Sequence, residues 1–348
     1  MNILVTGGAG RIGSVVVAQL LSHDHTVHII DNVEESAIKP EAAERINGAS
    51  YAQVDIRDFA AVQPHLDGIE GVVHLAAIPS PRPGMDAEIF DINVTGTFNV
   101  YQAAAEAGVK RIVSASSINA LGNHYGVRWV EMQYFPVDEA HPSHTSDVYS
   151  YSKQLVEETA DYFWRRYGIS GVSMRFPFVF DRSWFPVERS TQRLENSRKA
   201  YDLLMALPEA DRSAKVRAML DQYLEVRLKM WRGEATWQDM GAFFESTPGA
   251  AVISGQDDFW AIVDVRDVAQ AIEKALLADY EGSHALFIAD SHNATGLPSR
   301  DLAALCYPHV TDWRRPVEGT EALVDINKAR ELFGYEPEYS VSDLWAAK

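Results

Sequence analysis

Short apolar strands alternating with amphipathic helices predict a doubly wound, parallel α/β sheet with a smaller, mainly helical substrate-binding part in the C-terminal half. Three observations carry this prediction. The alternation runs from residue 3 to about residue 176, a glycine-rich turn joins the first strand to the first helix, and strand texture vanishes between 182 and 250. Ile3-Leu4-Val5 is an apolar run ending in glycines and reads as a buried strand. Ile12, Val15, Val16, Ala18 and Leu20 then recur at helical spacing, and residues 26–30 form a second strand ending at Asp31. A strand, loop, helix and strand in about thirty residues is the size of one βαβ unit. Further strands are expected at 51–54, 71–75, 111–114 and 171–175, with helices over 87–107 and 147–167. Residues 193–207 and 210–230 predict two helices separated by Pro208 and lying outside the sheet, either as a packing annexe or as a lid over the substrate. Strand texture returns at 260–265, followed by a helix to about 277, a short strand at 285–288 and short helices at 325–333 and 341–347.

Bulk properties narrow the function classes. The chain has 348 residues, enough for two domains or one with an annexe. With 31 basic and 49 acidic side chains its net charge is −18, which disfavours nucleic acid and anionic membrane surfaces as partners. A single cysteine, Cys306, allows no internal disulfide and no cysteine-based zinc site. The histidines show no metal-ligand spacing, so no metal is implied. No signal peptide is read at the start and no apolar run reaches the roughly 18 residues of a membrane span, so a cytoplasmic location is expected.

Gly7, Gly10 and Gly13 are spaced G-x-x-G-x-x-G between a strand and a helix. Such a loop turns tightly, lets backbone approach a pyrophosphate, and presents the free N–H groups of the helix that begins near Arg11 and Ile12. That holds an anion locally in a protein of strongly negative charge. Asp31 stands about 20 positions on, where a carboxylate accepts from both ribose hydroxyls and repels a 2′-phosphate. Asn32 beside it adds no charge. The pattern therefore points to a nicotinamide dinucleotide, NAD in preference to NADP. The dinucleotide-binding domain is expected to span residues 1–180, with 255–280 returning to it, and the substrate-binding part 181–254 and 281–348.

These motifs, together with Val54-Asp55-Ile56-Arg57-Asp58, His74-Leu75-Ala76-Ala77, Asn93-Val94-Thr95-Gly96-Thr97, Ser116-Ser117, Tyr149-x-x-x-Lys153 and Val263-Asp264-Val265-Arg266-Asp267, resemble the extended short-chain dehydrogenase/reductase family, also called the NAD-dependent epimerase/dehydratase family. The resemblance covers nearly the whole chain and implies a Rossmann sheet. It implies that Asp55 and Ile56 flank the adenine, that Leu75, Ala76 and Ala77 line the ribose and pyrophosphate, that Asn93 supports the active-site helix, and that Pro177 lies near the nicotinamide. It also implies a homodimer.

Tyr149 and Lys153 are four apart and share one helical face. A tyrosine is a poor base at neutral pH, so the ammonium and a positive nicotinamide ring are expected to lower its pKa. Tyr149 then removes a hydroxyl proton, Lys153 also holds the nicotinamide ribose, and Ser117 orients the substrate oxygen, with Ser116 as the alternative one register away. Tyr151 falls on another face and reads as packing.

Departures from the family pattern bear on the substrate. Ser117-Ile118-Asn119 stands where dehydratases of the family carry Thr-Asp-Glu, which argues against water elimination. Phe178 stands where nucleotide-sugar epimerases usually carry an asparagine, which argues against a nucleotide sugar. Asn119, His124, Tyr125 and Arg182 are candidate substrate contacts by position. The expected function is an NAD-dependent oxidoreductase acting on a hydroxyl carbon of a sugar, sugar acid or similar polyol, with a (nucleotide-)sugar epimerase as the alternative.

Overall fold

The structure is a computed structural model that describes residues 1–183 and 187–340; the helix expected at 341–347 lies outside the described residues. Among the described residues eleven strands are assigned: β1 Asn2–Thr6, β2 Thr26–Asp31, β3 Ser50–Gln53, β4 Gly71–His74, β5 Arg111–Ser117, β6 Tyr134–Phe135, β7 Ser170–Phe176, β8 Phe178–Phe180, β9 Ile262–Asp264, β10 Ser283–Phe287 and β11 Asp312–Trp313. Seven of them form one sheet in the order β10-β7-β5-β4-β1-β2-β3, with every pair parallel. The remaining four make two small parallel pairs, β6 with β11 and β8 with β9.

Both faces of the sheet are covered, which is why its central strands are apolar throughout instead of alternating. Ile3 and Val5 point to one face, where Val16 and Leu20 of the helix Arg11–Ser22 meet Val268 and Ile272 of the helix Val265–Leu277. Leu4, Val72 and Ile112 point to the other, beneath Val100 and Tyr101 of Gly96–Ala107 and Ala160 and Phe163 of Val148–Tyr167.

Three local differences from the sequence expectation have physical causes. The helix expected over 87–107 is interrupted: Asp86–Phe90 and Gly96–Ala107 are joined by a π-helical turn, Asp91–Thr95, where the Asn93 side chain is drawn into other bonds described below. The strand expected at 285–288 is found at Ser283–Phe287 and is the edge strand of the main sheet, in register with Gly171–Arg175, so this stretch returns to the sheet and not to the substrate-binding part. The region after 180 contains the two expected helices, here Val187–Met205 and Glu209–Trp231, plus a third, Trp237–Ser246. A reciprocal cap between Thr236 and Asp239 starts that third helix.

Candidate active site

The strand order reverses between β1 and β4, and sheets of this kind bind ligands in the crevice beyond the carboxyl ends at that point. The glycine loop leaves β1 there and the run Leu75–Ala77 leaves β4. Gly7 has a left-handed backbone (φ 72°), and a Cβ on it would come within 2.7 Å of the Ala76 nitrogen. A Cβ on Gly13 would lie 2.1 Å from the Gly7 carbonyl oxygen, and one on Gly8 would lie 2.8 Å from the Ile29 side chain. The loop is therefore pressed against its neighbours and presents bare backbone. Gly10 caps the following helix without a side-chain bond, which suits a helix start that serves an anion with backbone N–H groups. These residues fit a dinucleotide pyrophosphate: the cradle is one that any side chain at Gly7 or Gly13 would fill.

The other expected cofactor residues lie along the same edge. Asp31 ends β2 and is buried; its two oxygens accept from the backbone N–H groups of Ala9 (3.0 Å) and Val33 (3.2 Å). Each oxygen keeps a further lone pair for a ribose hydroxyl. Asn32 and Arg11 are exposed beside it. Leu75, Ala76 and Ala77 are half-buried, and the Ala76 N–H donates to Thr6 Oγ1 at 3.2 Å. The Asp55 carboxylate is forked by its neighbour Arg57 (2.6–3.1 Å), and Ile56 is a core side chain lying under Gly96. Asn93 is wholly structural in its bonds: it accepts from the Ile78 N–H (2.8 Å) and donates to the Ile78 carbonyl (3.1 Å) and to Ser152 Oγ (3.0 Å). It thereby ties the loop after β4 to the helix bearing Tyr149 and Lys153. Pro177 is buried directly after β7.

Ser117, Tyr149 and Lys153 come together as expected. Ser117 is the last residue of β5, beside Tyr149, where its hydroxyl donates to the Phe176 carbonyl (3.5 Å) and accepts the Asn119 N–H (3.1 Å). Ser116 points away and donates to Glu157 (2.6 Å), which also receives a bidentate pair from Arg175 at 2.8 Å. Of the two serines, Ser117 is the one beside Tyr149. Lys153 donates to the Ala115 carbonyl (2.9 Å), and its Nζ stands 5.8 Å from the Tyr149 ring centre. Tyr151 is half-exposed on another face, beside Phe90.

The expected lowering of the Tyr149 pKa is not supplied by the protein. Burial pushes it up to about 12, the Ser117 bond works against this, and Asp147 and Asp258 add to it. Burial also pushes Lys153 down to about 8, with Glu157 opposing, so the ammonium is itself desolvated and is not among the groups that lower Tyr149.

Beyond Tyr149 lies a buried polar cluster of which the sequence had marked only His124. Its Nδ1 stands 3.1 Å from Asp257 Oδ1 and 3.4 Å from Asp258 Oδ1. Burial alone would lower this imidazole; the two carboxylates outweigh it and raise it to about 9. Asp257 also accepts from the Tyr223 hydroxyl (2.6 Å) and pairs with Arg227 at 3.5 Å. Arg227 Nη1 donates to the carbonyls of Asn123 and His124, and its guanidinium lies over the Trp129 ring at 4.4 Å. Trp231 Nε1 donates to the Tyr125 carbonyl (2.9 Å), and the Tyr125 ring meets Tyr149 edge-on at 5.6 Å. The two aspartates are followed by Phe259 and Trp260, both held left-handed at φ 57° and 52°, a conformation that costs energy away from glycine. The helix Glu209–Trp231 therefore reaches Tyr149 through Tyr125.

Of the remaining candidates, Asn119 is buried with no partner for Oδ1, Phe178 is 41% exposed, and Arg182 is exposed at the edge of the described residues. No local pattern pointed to Asp257, Asp258, Tyr223 or Arg227; the aspartates meet the other two across 30 or more residues of sequence. Among the described residues no group of three or more His, Cys, Asp or Glu is placed to hold a metal ion, and no helix is long and apolar enough to cross a membrane.

The comparisons agree with this architecture. The model of the NAD dependent epimerase/dehydratase family matches residues 3–195, more than half of the chain, and the protein belongs to that family. A putative UDP-glucose 4-epimerase of Methanocaldococcus jannaschii is 35% identical over 184 residues, 51% of this chain and 56% of the relative. A uronate dehydrogenase of Pseudomonas syringae pv. tomato is 30% identical over 205 residues, 56% of this chain and 69% of the relative. The match to the first of these spans little more than half the relative's length. Among solved structures, a UDP-glucose 4-epimerase from Thermotoga maritima superposes with a TM-score of 0.62 at 22% identity, over 99% of this chain and 96% of that one. A short-chain dehydrogenase/reductase superfamily protein from Agrobacterium tumefaciens with bound NAD gives 0.61 at 21%, over 99% and 95%. At these identities the superpositions speak for the fold.

Proposed function

We propose that this protein is an NAD-dependent dehydrogenase that oxidises a carbinol carbon of a sugar, sugar acid or similar hydroxyl compound. The observation that carries the reading is the meeting of Ser117, Tyr149 and Lys153 at the carboxyl end of β5, next to a glycine cradle with an acidic residue at the end of β2. NAD bound in that cradle supplies the hydride acceptor. The chain's residues do the rest. The loop backbone and the first helical turn hold the pyrophosphate, and Asp31 takes the adenosine ribose hydroxyls. Ser117 fixes the substrate oxygen against Tyr149, which acts as the phenolate, its charge favoured by the positive nicotinamide ring, and takes up the substrate's hydroxyl proton as the carbonyl forms. Lys153, held by the Ala115 carbonyl, stands where it reaches the nicotinamide ribose. The name of the Pseudomonas relative supports a carbohydrate substrate.

An epimerase is the second reading, supported by the names of the Methanocaldococcus relative and the Thermotoga structure. The absence of an acid–base pair at Ile118-Asn119 speaks against a dehydratase, and Phe178 speaks against a nucleotide sugar. Incubation with NAD and candidate sugars, followed by absorbance of the reduced cofactor, separates the two. Net NADH is expected. Isomer formation from a UDP-sugar without net NADH would replace the dehydrogenase by the epimerase.

A further inference from the structure

We infer that the substrate carries an apolar, ring-bearing group beside its oxidisable carbinol, and that the helical insertion is built to receive that group. This rests on the dehydrogenase reading of the same site and names its substrate class more narrowly. A cavity of about 280 Å³ opens next to the Tyr125–Tyr149 contact. Its walls include Pro81 and Pro83 from the loop after β4, Met230 and Trp231 from the end of Glu209–Trp231, and Trp237 and Met240 from Trp237–Ser246. A free polyol needs a dense set of unused donors and acceptors, because each hydroxyl taken from water without a partner is costly.

Here several of the polar side chains at the cavity are already engaged. Arg227 commits Nη1 to the carbonyls of Asn123 and His124 and to Asp257, and its Nε and Nη2 are buried without a hydrogen-bond partner. Tyr223 is spent on Asp257, and Thr236 on Asp239. His124 turns Nδ1 to the aspartates, which leaves its other nitrogen as one donor for one acceptor oxygen. Trp237, by contrast, lines the cavity while 61% exposed. A tryptophan left that far in water has apolar area to offer a ligand. A cavity of mainly apolar walls with few polar groups, the far His124 nitrogen and the Tyr125 hydroxyl among them, matches a compound with an apolar body and few polar atoms.

The test uses the NAD-loaded protein, with binding read by isothermal titration calorimetry and turnover by NADH absorbance. The probes are D-glucose, 2-naphthyl β-D-glucoside and 2-tetralol. The aryl glucoside is expected to bind at least tenfold tighter than glucose, and Trp237→Ala is expected to remove about tenfold of that preference. Equal affinity for glucose and its naphthyl glycoside overturns the inference, as does an unchanged preference in Trp237→Ala or no binding by either aryl compound. The outcomes separate the two readings. Tight aryl binding with 2-tetralol oxidised and no glycoside oxidised keeps the apolar site and removes the carbohydrate from the proposed function. Efficient oxidation of free glucose with no aryl preference keeps the dehydrogenase and removes the apolar site.

Discussion

The cofactor wall and the substrate wall of the crevice hold their shape by different means. The cofactor wall is backbone: Gly7, Gly8 and Gly13 leave no room for a Cβ, and its geometry is set by residues within one βαβ unit. The substrate wall is side chains: Tyr223, Arg227, His124, Asp257 and Asp258 come from three separate stretches and hold one another by charge and hydrogen bonds. A wall made of backbone tolerates almost no added atom but little depends on ionisation. A wall made of paired buried charges depends on every partner, because removing one leaves another uncompensated.

The largest expected effect lies where the walls meet. Tyr149→Phe should lower kcat by about a thousandfold, within the range for loss of a positioned acid–base group, while NAD affinity moves by no more than about tenfold. Steady-state turnover and calorimetry measure the two, and near-normal turnover would remove Tyr149 from the chemistry. Gly13→Ala challenges the backbone wall. Its Cβ would sit 2.1 Å from the Gly7 oxygen, so NAD binding should weaken by about a hundredfold, on the order of 3 kcal/mol. Wild-type NAD affinity in this variant would mean that the loop relaxes without cost.

Arg227→Leu challenges the side-chain wall. It strands Asp257 beside Asp258, and a broken buried pair costs roughly 3–5 kcal/mol. Chemical denaturation should show that loss; a change under about 1 kcal/mol would indicate that Asp257 is compensated without the guanidinium. The smallest effect is one of pH. His124 is raised from 6.5 to about 9 in the folded protein. Its contribution is therefore complete below pH 6.5 and fades as pH rises through about 9, by an amount on the order of a few kcal/mol. Melting temperature should decline across pH 7–10 in the wild type and decline less in His124→Gln. Parallel profiles would show that the imidazole is not held charged by the aspartates.

The same contrast explains what could be read from the sequence. The sheet, the glycine loop, Asp31 and the Tyr149–Lys153 face were legible because each depends on residues a few positions apart. The π-turn at Asp91–Thr95 was not: apolar periodicity does not announce it, and the Asn93 bonds to Ile78 and Ser152 that accompany it are made across the fold. The edge strand Ser283–Phe287 was found but assigned to the wrong part, because its membership is decided by pairing with β7, more than 100 residues earlier. Adjacency of Tyr149 to an ammonium was legible, while the extent of its burial, which pushes its pKa up, was not. Arg227 looked like any surface cation on a charged helix; only the fold places it beneath Trp129 and beside Asp257.

Three of the bonds that dock the insertion on the catalytic half end on main-chain carbonyls: Arg227 on those of Asn123 and His124, and Trp231 on that of Tyr125. A carbonyl is supplied by every residue type, so the receiving surface survives side-chain change at those three positions. The insertion can in this way drift as a module. Exchange of Met230, Trp237 or Met240 would recut the recognition surface while the docking bonds and the redox residues stay as they are, so new specificities can be grafted onto an unchanged oxidation step.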